Sequence, residues 1–250
     1  MIKLLISGIN GAMGKTMLLT VKDYDELTVV AGVDIDTSPI DGIPVYSSFS
    51  DIKENIDVVV DFSHPDTLNP LLDYCKEKSV HAVLCTTGYS PEQEEHLREV
   101  AHSIAILRSA NMSLGVNLIA HLATLASKFL GDGFDVEIIE KHHRRKVDAP
   151  SGTALMLANS INEANDGKYN YVFERESLRQ SRSSNELGIH SVRGGNIVGE
   201  HEIIFAGTDE TVTISHSISS RTVFAVGAAK AAIFIASQTT GFYTLSDIIG

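Results

Sequence analysis

Basic residues are scarce in this sequence. Its 250 residues include 20 Lys and Arg against 32 Asp and Glu, which gives a formal net charge of −12. A field of this sign repels phosphate backbones and anionic membrane surfaces. The composition therefore argues against a nucleic-acid-binding protein and against a protein that binds membrane surfaces.

Long apolar runs are the second absence. No run approaches the roughly 18 residues of a membrane span, and "MIKLLISGING" lacks the charged start, long apolar middle and cleavage site of a signal peptide. We therefore expect a cytoplasmic protein without a membrane segment. With 43% hydrophobic residues, the chain can form one or two globular domains with a substantial core.

Cysteine is the third residue in short supply. Cys75 and Cys85 are the only two, too few for a disulfide framework or a metal site of their own. Both lie in apolar segments, which favours buried free thiols. We predict no metal site, and we find no internal repeat, low-complexity tract or flexible linker.

The first half of the chain alternates short β-branched runs with amphipathic segments. The apolar runs are "IKLLIS", "LTVVAGVD", "IDVVVDFS", "HAVLCTTG" and "IAILRS", and "TLNPLLDYCKEK" and "PEQEEHLREVAH" lie between them. Near-continuous apolar strands between helices indicate a parallel sheet covered on both faces. We predict an α/β fold with a Rossmann-type doubly wound sheet over residues 1–112.

The pattern changes after residue 112. Leu114, Leu118, Leu122, Leu125 and Phe129 recur at helical spacing. The strand-like segments "FDVEIIEKH", "IVGEHEIIFAG" and "ETVTISHSIS" follow, and the last alternates apolar and hydroxyl side chains, with His216 on the apolar face. We predict a second α+β domain with a mixed or antiparallel sheet over residues 113–220. A C-terminal helix over 221–250 is expected to pack back on the first domain.

A glycine-rich segment joins the first predicted strand to the first helix. "LLISGINGAMGKTM" places Gly8, Gly11 and Gly14 at the turn, where glycines permit close approach of a pyrophosphate to a helix N-terminus. The spacing G-x-x-G-x-x-G is weak evidence alone. Asp34 strengthens it, because an acidic residue at the end of the second strand can accept hydrogen bonds from ribose hydroxyls.

Three further loops follow predicted strands at the edge where open α/β sheets bind ligands. They are "DFSHP" (61–65), "CTTGY" (85–89) and "SANMS" (109–113). Their small polar residues suit a nicotinamide pocket, but purely structural loops explain each of them equally well. Tyr74 and Lys78 match the Tyr-x-x-x-Lys spacing of short-chain dehydrogenases, yet they fall in an early helical segment and are assigned to a solvated helix face.

The segment "EKHHRRKVDAPSGTA", residues 140–154, concentrates positive charge in an acidic chain. A solvated face or a nuclear-localisation-like cluster would explain the basic run alone. However, Pro, Ser, Gly and Thr followed by apolar residues indicate that a helix starts directly after it. Positive charge leading into a helix N-terminus suits a small anion. Arg144 and Arg145 can still be surface or subunit contacts.

Taken together, the glycine-rich loop, "CTTG", "SANMSLGVN" and "HHRRKVDAPSGTA" closely resemble the dihydrodipicolinate reductase family along the whole chain. The resemblance implies an NAD(P)H-dependent oxidoreductase that reduces a cyclic unsaturated imine dicarboxylate to tetrahydrodipicolinate in the diaminopimelate route to lysine. It also implies a homotetramer. Hydride addition builds negative charge on the substrate ring, which a nearby acid or cation must neutralise.

The resemblance also assigns roles by matching position. It implies that His142 handles a proton, that Lys146 donates one, and that the substrate contacts His143, Gly152 and Thr153. For the cofactor it implies contacts with Gly8, Ile9, Asn10, Gly11, Ala12, Met13, Asp34, Cys85, Thr86, Thr87, Ser109, Ala110, Asn111 and Met112.

One departure from the family pattern concerns cofactor choice. Members that favour NADPH carry arginine in the glycine loop or just after the acidic residue, whereas Ala12 and Ile35 stand there in this chain. We expect NADH to serve at least as well as NADPH. Two alternative functions remain: another two-domain amino-acid-pathway dehydrogenase, such as a homoserine-dehydrogenase-like protein, and a nicotinamide-sensing protein without turnover.

Overall fold

The computed structural model describes residues 1–249. The chain divides into two compact units, one formed by Met1–Leu114 with the segment from Thr222 onward, the other by Gly115–Arg221. Each unit has its own β-sheet and its own hydrophobic core.

In chain order, the described strands are β1 (Ile2–Ser7), β2 (Leu27–Val33), β3 (Val45–Tyr46), β4 (Val58–Asp61), β5 (His81–Leu84), β6 (Ala105–Arg108), β7 (Asp135–His142), β8 (Asn170–Val172), β9 (Glu186–Arg193), β10 (Gly199–Ala206), β11 (Thr211–Ile218) and β12 (Gly241–Tyr243). The α-helices are α1 (Ala12–Val21), α2 (Leu68–Lys78), α3 (Pro91–Val100), α4 (Leu114–Leu130), α5 (Gly152–Glu163), α6 (Thr222–Ile235) and α7 (Ser246–Ile249).

The first unit contains a seven-stranded parallel sheet in the order β12-β6-β5-β4-β1-β2-β3. The chain builds outward from β1 through β2 to β3, then returns to β4 on the other side of β1. The predicted doubly wound sheet is therefore confirmed. In such a sheet, loops that follow β1 and β4 diverge and leave a crevice at the carboxyl ends of the strands.

Both faces of this sheet are buried, because neighbouring strand residues point to opposite sides. Leu4 of β1 faces the core that contains α1 and α6, whereas Leu5 faces the core that contains α2 and α3. The continuous apolar runs of the sequence correspond to these doubly covered strands.

The second unit contains a five-stranded mixed sheet in the order β11-β10-β7-β9-β8. β10 is antiparallel to both β7 and β11, while β9 is parallel to both β7 and β8. Ile138 and Phe205 on one face pack with Leu157 of α5 and Ile119 of α4. The predicted mixed sheet is thus confirmed. Thr211–Ile218 alternates as expected, with its hydroxyl residues more exposed than Val212, Ile214, His216 and Ile218.

Helix α4 forms where the leucine spacing predicts it, but its apolar stripe is not buried within the chain. Leu118, Leu122, Leu125 and Phe129 are exposed, Phe129 by 90%. The buried positions are instead Val116, Ile119, Ala123 and Ser127. The face that carries Ile119 and Ala123 packs in the core of the second unit, and the leucines lie on the exposed side of the helix.

The segment Leu114–Gly133, which contains α4, spans 20 residues with a mean hydropathy of 1.3. By length and composition alone it passes the test for a membrane span, although polar residues such as Asn117 and His121 interrupt its apolar run. A helix of a globular core passes the same test, and Ile119 and Ala123 do pack in the core of the second unit.

Two strands and the C-terminal segment differ from the sequence-based expectation. β8 and β9 were not predicted, because "NYV" is short and "ELGIHSVR" mixes glycine and polar residues among its apolar ones. The predicted helix over 221–250 is interrupted: α6 ends at Ile235, β12 then joins the parallel sheet beside β6, and the short α7 follows. The polar residues of "SQTTG" end the helix, and Gly250 lies outside the described residues.

Candidate active site

The glycine-rich loop turns sharply between β1 and α1. Gly8 adopts a φ of 77°, and a Cβ there would lie 2.9 Å from the carbonyl oxygen of Phe62. A Cβ at Gly14 would collide with the carbonyl oxygen of Gly8. Both glycines are therefore required by close backbone packing. Gly11 is the N-cap of α1 and provides no side-chain cap, so the first amide groups of the helix are directed toward the loop.

Asp34 is fixed beside this loop by hydrogen bonds. Its Oδ2 accepts from the backbone N–H of Asn10 at 2.9 Å, and its Oδ1 accepts from the N–H of Asp36 at 3.1 Å. The side-chain amide of Asn10 donates to the carbonyl oxygens of Asp36 and Ser38. The glycine loop and the end of β2 are thus held together as one piece.

A cleft of about 310 Å³ opens at this place in the first unit. Of the predicted cofactor residues, Gly8, Gly11 and Asp34 line it, and fully exposed Ile35 lies at its rim. Asn10, Ala12 and Met13 belong to the same turn, whereas the side chain of Ile9 is buried in the core. Sequence reasoning missed Ser47 and Thr67, which also line the cleft.

The loops after β4 and β5 are joined through Asp61. This buried carboxylate accepts hydrogen bonds from Thr86 Oγ1 at 2.6 Å and from the hydroxyl of Ser63. Thr86 is therefore held by the protein, while Thr87 beside it is exposed. Cys85 is partly buried, and the loss of contact with water raises the pKa of its thiol. The thiol stays neutral near pH 7.

The predicted nicotinamide residues after β6 lie at the same sheet edge. Leu84 pairs with Arg108 where β5 and β6 end, so the loops 85–87 and 109–112 start side by side. Ser109 Oγ donates to the carbonyl oxygen of Asn111 at 2.8 Å. Ala110 is exposed, whereas the Met112 side chain lies in the core. None of these residues lines the cleft at the glycine loop.

In the second unit, a fully buried carboxylate organises the predicted catalytic segment. Glu140 on β7 receives two hydrogen bonds from the guanidinium of Arg193, at 2.6 and 2.7 Å. It also contacts His142 Nδ1 at 2.6 Å and accepts from the N–H of Ser151 at 3.1 Å. Sequence reasoning missed both Glu140 and Arg193. The register that pairs His142 with Arg193 is a long-range feature of the sheet.

His142 and His143 have different surroundings, although β7 ends at His142 and its alternation does not extend to His143. The ring of His142 lies on the Glu140 side of β7 and meets the ring of His201 edge-on, with centroids 5.3 Å apart. Nδ1 of His143 is buried, and within residues 1–249 it has no hydrogen-bond partner. A histidine nitrogen of this kind is available to a ligand.

Buried His201 is a further member of this cluster that the sequence did not reveal. Burial, reinforced by the nearby charge of His142, lowers the pKa of His201 to about 4. The ring is therefore neutral near pH 7, and its Nε2 lies 3.0 Å from Ser151 Oγ. The same hydroxyl oxygen accepts from the N–H of Ala154 and caps α5.

The start of α5 lies next to this cluster. Ser151 is the N-cap, and a Cβ added at Gly152 would meet no atom within 4 Å. Space above the helix N-terminus is therefore open, and such a terminus favours anions. Thr153 in the first turn is partly exposed. Lys146 lies in the preceding loop, where its Nζ is 2.9 Å from Asp148 Oδ2.

The structure thus joins His142 and the N-cap of α5 through Glu140, and Lys146 lies in the loop between them. Arg144 and Arg145 are exposed, and Arg145 donates to the side chain of Asn196 at 3.2 Å. Within the part of the chain that the structure describes, no group of three His, Cys, Asp or Glu residues is arranged to hold a metal ion.

Comparison with known families gives matches to both halves of the chain. The family model described as dihydrodipicolinate reductase, N-terminus, matches residues 2–112, and the model for the C-terminus of the same enzyme matches residues 115–249. The chain is 49% identical to the 4-hydroxy-tetrahydrodipicolinate reductase of Caldanaerobacter subterraneus subsp. tengcongensis, covering 100% of this chain and 98% of the relative. It is 45% identical to the enzyme of the same name from Clostridium novyi, with the same coverage.

Solved structures agree with these matches. A dipicolinate-bound dihydrodipicolinate reductase from Paenisporosarcina sp. TG-14 has a TM-score of 0.84 and 27% sequence identity, and the match covers 99% of both chains. An amine dehydrogenase from Mycobacterium smegmatis has a TM-score of 0.66 and 13% identity, over 98% of this chain and 95% of the other. The second likeness shows a shared fold only.

Proposed function

Because this chain belongs to the dihydrodipicolinate reductase family, we propose that it reduces a cyclic unsaturated imine dicarboxylate to tetrahydrodipicolinate in the diaminopimelate route to lysine. The observation that carries the proposal is that buried Glu140 holds both His142 and the N-cap of α5, whose N-terminus is open, while Lys146 lies in the loop between them and pairs with Asp148. This grouping combines acid-base groups with an anion site, which is what reduction of an imine dicarboxylate needs.

The first unit provides the residues for a dinucleotide. The glycine loop and the uncapped start of α1 would hold the pyrophosphate, and Asp34 would accept from the ribose hydroxyls. The loops 85–87 and 109–112 would contact the nicotinamide. When bound, NADH or NADPH supplies the hydride. We assign residues 1–112 to cofactor binding and 113–220 to substrate binding and subunit assembly, with the chain from residue 221 onward completing the first unit.

The second unit provides the residues for the substrate. One carboxylate of the substrate would lie at Gly152 and Thr153, where helix amides and a hydroxyl donate, and His143 would contact it from the side. The reduced ring needs one proton for each hydride it gains. Lys146 donates that proton, and His142 handles proton exchange and stabilises the negative charge that develops on the ring.

Asp34 and its neighbours support the use of NADH. The carboxylate would repel the 2'-phosphate of NADPH, and no arginine stands at Ala12 or Ile35 to offset the repulsion. The nearby cation is Lys15. Two hydrogen bonds from Ser38 lower the pKa of Asp36, and the charge of Lys15 lowers it further. NADH should therefore serve at least as well as NADPH.

The proposal extends to a cytoplasmic homotetramer, as the family resemblance implies. The exposed leucines and Phe129 of α4 support assembly, because an apolar stripe of this kind is more stable when another surface covers it. Light scattering coupled to gel filtration should give a mass near four times 27.0 kDa. A monomeric mass would contradict this part of the proposal.

The activity is tested by following the absorbance of reduced cofactor while the preceding synthase generates the substrate in the same solution. We expect oxidation of the cofactor only when the synthase and both of its substrates are present. A reaction without the synthase is the control for spontaneous oxidation. Absence of synthase-dependent oxidation with either cofactor would refute the proposed function, and it would favour a nicotinamide-binding protein without turnover.

A further inference from the structure

We propose that Glu140 is a positioning residue for the reaction: its carboxylate fixes the ring of His142 and the start of α5 in one arrangement, and Arg193 neutralises it. The inference rests on the proposed function, since it acts through the proton-handling histidine and the substrate's anion site. It adds a residue that does not itself touch the substrate.

The geometry divides the carboxylate between two tasks. Oε2 faces His142 Nδ1 at 2.6 Å, and Oε1 accepts from the N–H of Ser151 at 3.1 Å. Each oxygen also receives one hydrogen bond from Arg193. A carboxylate can accept about four hydrogen bonds, and these four contacts reach that number even before the side chain of Ser191 is counted. One rigid group therefore sets both the histidine ring and the N-cap residue of α5.

This contact determines which nitrogen of His142 exchanges protons. An ionised carboxylate only accepts hydrogen bonds, so Nδ1 must carry the proton and Nε2 is left for exchange. His142 Nε2 points toward Gly199 of β10, where a Cβ would lie only 3.2 Å from it. The absence of a side chain at Gly199 leaves that nitrogen room.

Glu140 is ionised at every pH at which the enzyme would work. Burial alone would raise its pKa, but hydrogen bonds from Arg193, Ser191 and His142 outweigh burial and bring the pKa to about 2. A buried anion beside a site for a dicarboxylate would repel the substrate unless it were neutralised. Arg193 provides that charge, and its Nη2 also donates to the carbonyl oxygen of Asp148 in the Lys146 loop.

The same strand offers a matched control. Glu137 of β7 is partly buried, lies 2.8 Å from His190 Nε2 and accepts from Arg182 Nε at 3.0 Å. It repeats the carboxylate, histidine and arginine chemistry of Glu140. However, Glu137 lies three positions before Glu140 on the strand, so it faces the opposite side of the sheet from the candidate active site. If Glu140 served only as a structural ion pair, substitution of Glu140 and of Glu137 would reduce kcat to a similar extent.

The first experiment compares Glu140→Gln with Glu137→Gln in the intact protein. We expect Glu140→Gln to lower kcat about 10- to 100-fold through loss of the positioned histidine. The KM for NADH should stay within about twofold of wild type, because this residue lies in the substrate unit. Glu137→Gln should keep nearly wild-type kcat. Equal losses in the two variants, or normal turnover in Glu140→Gln, would overturn the inference.

A second measurement does not depend on turnover. Nitrogen NMR of wild-type protein carrying ¹⁵N-labelled histidine, with His142→Gln used to assign the signal, reports which ring nitrogen is protonated. We expect a protonated Nδ1 and an unprotonated Nε2 in the neutral ring. The opposite tautomer would overturn the inference. Because no substrate is needed, a wild-type protein that fails to oxidise cofactor refutes the proposed function and leaves this test intact.

Glu140→Gln leaves Arg193 buried without its partner, which can unfold the protein. The double variant Glu140→Gln with Arg193→Met removes both charges together and is expected to fold better. Its kcat should be reduced like that of Glu140→Gln. A folded double variant with wild-type kcat would overturn the inference.

Discussion

At the scale of single residues, the two adjacent histidines at the end of β7 differ in their hydrogen bonding. His142 ends β7, and its Nδ1 is committed to Glu140. His143 follows the strand, and its buried Nδ1 has no hydrogen-bond partner among residues 1–249. One ring is therefore oriented by the protein before the substrate arrives, while the other can complete its hydrogen bonding with a ligand. This difference supports separate roles in proton handling and substrate contact.

His142→Gln and Lys146→Met should both lower kcat much more than they weaken cofactor binding. Positioned acid-base groups typically contribute about 10²- to 10⁴-fold in rate. The double variant should lose less than the product of the single effects if both side chains serve one proton-transfer step. Steady-state kinetics together with a cofactor titration measures this. Arg145→Met, which removes an exposed cation from the same run, should be nearly neutral; near-normal turnover in either single variant would show the assignment to be wrong.

We expect a single residue, Asp34, to decide cofactor preference. Each carboxylate oxygen of Asp34 accepts a hydrogen bond from a backbone N–H. The side chain therefore cannot turn away from a 2'-phosphate without losing those hydrogen bonds. We expect kcat/KM for NADH to equal or exceed that for NADPH at matched salt concentration. Asp34→Ser should shift the ratio toward NADPH. A preference of about tenfold or more for NADPH in the wild type would show that Lys15 outweighs the carboxylate.

At the scale of secondary-structure elements, the N-terminus of α5 is the predicted site for one substrate carboxylate. Pyridine-2,6-dicarboxylate should therefore inhibit competitively against substrate, and pyridine-2-carboxylate should bind more weakly. Each charged hydrogen bond lost is worth about 1.5 to 3 kcal/mol, or roughly 10- to 150-fold in affinity. Inhibition constants for the two compounds test this directly.

Thr153→Val addresses the same helix terminus without changing side-chain size. It should raise KM for substrate and weaken inhibition by the dicarboxylate together, leaving cofactor affinity nearly unchanged. Thr213→Val, on the exposed side of β11, is the matched control and should change neither. If Thr153→Val affected only cofactor binding, or if the mono- and dicarboxylates inhibited equally, the carboxylate site would lie elsewhere.

Elements with a strong local pattern were predictable from sequence, and those without one were not. β1, β2 and β4 are apolar runs flanked by helical segments, so their type and order followed from composition. β9 is a central strand, but "ELGIHSVR" has no clear alternation. For α4 the period was evident, yet the buried face carries Val116, Ile119, Ala123 and Ser127 and not the leucines. Which face packs on the sheet is a tertiary property.

At the scale of the whole molecule, the candidate sites depend on chain segments that are far apart in sequence. His142 and Lys146 were found because they share one motif, as were the glycines of the first loop. Arg193 and His201 reach the same cluster only through the pairing of β7 with β9 and β10. No local pattern in the sequence predicts the register of these strand pairs. The local half of each site was therefore predictable, and the half supplied by strand pairing was not.

Buried His201 should make the second unit less stable in mild acid. Its folded pKa is about 4, because burial and then the charge of His142 oppose protonation, whereas an unfolded histidine titrates near 6.5. The unfolded state therefore binds more protons between these values, so stability is full above about pH 7 and declines as pH falls toward 4. The expected loss is about 3 kcal/mol. Glu140 adds a separate loss below pH 4.5, as its pKa of about 2 is approached.

Hydrogen exchange at the amides of β7 and β10, measured at several pH values between 4.5 and 7 and corrected for intrinsic exchange rates, reports the opening of this unit by itself. Protection should fall with pH in the wild type. In His201→Gln, which keeps a polar partner for Ser151 but cannot gain a proton, most of that slope should disappear. His121→Gln removes an exposed histidine from the same unit and should keep the wild-type slope. If protection in His201→Gln fell with pH as steeply as in the wild type, another group in the cluster would be the one that titrates.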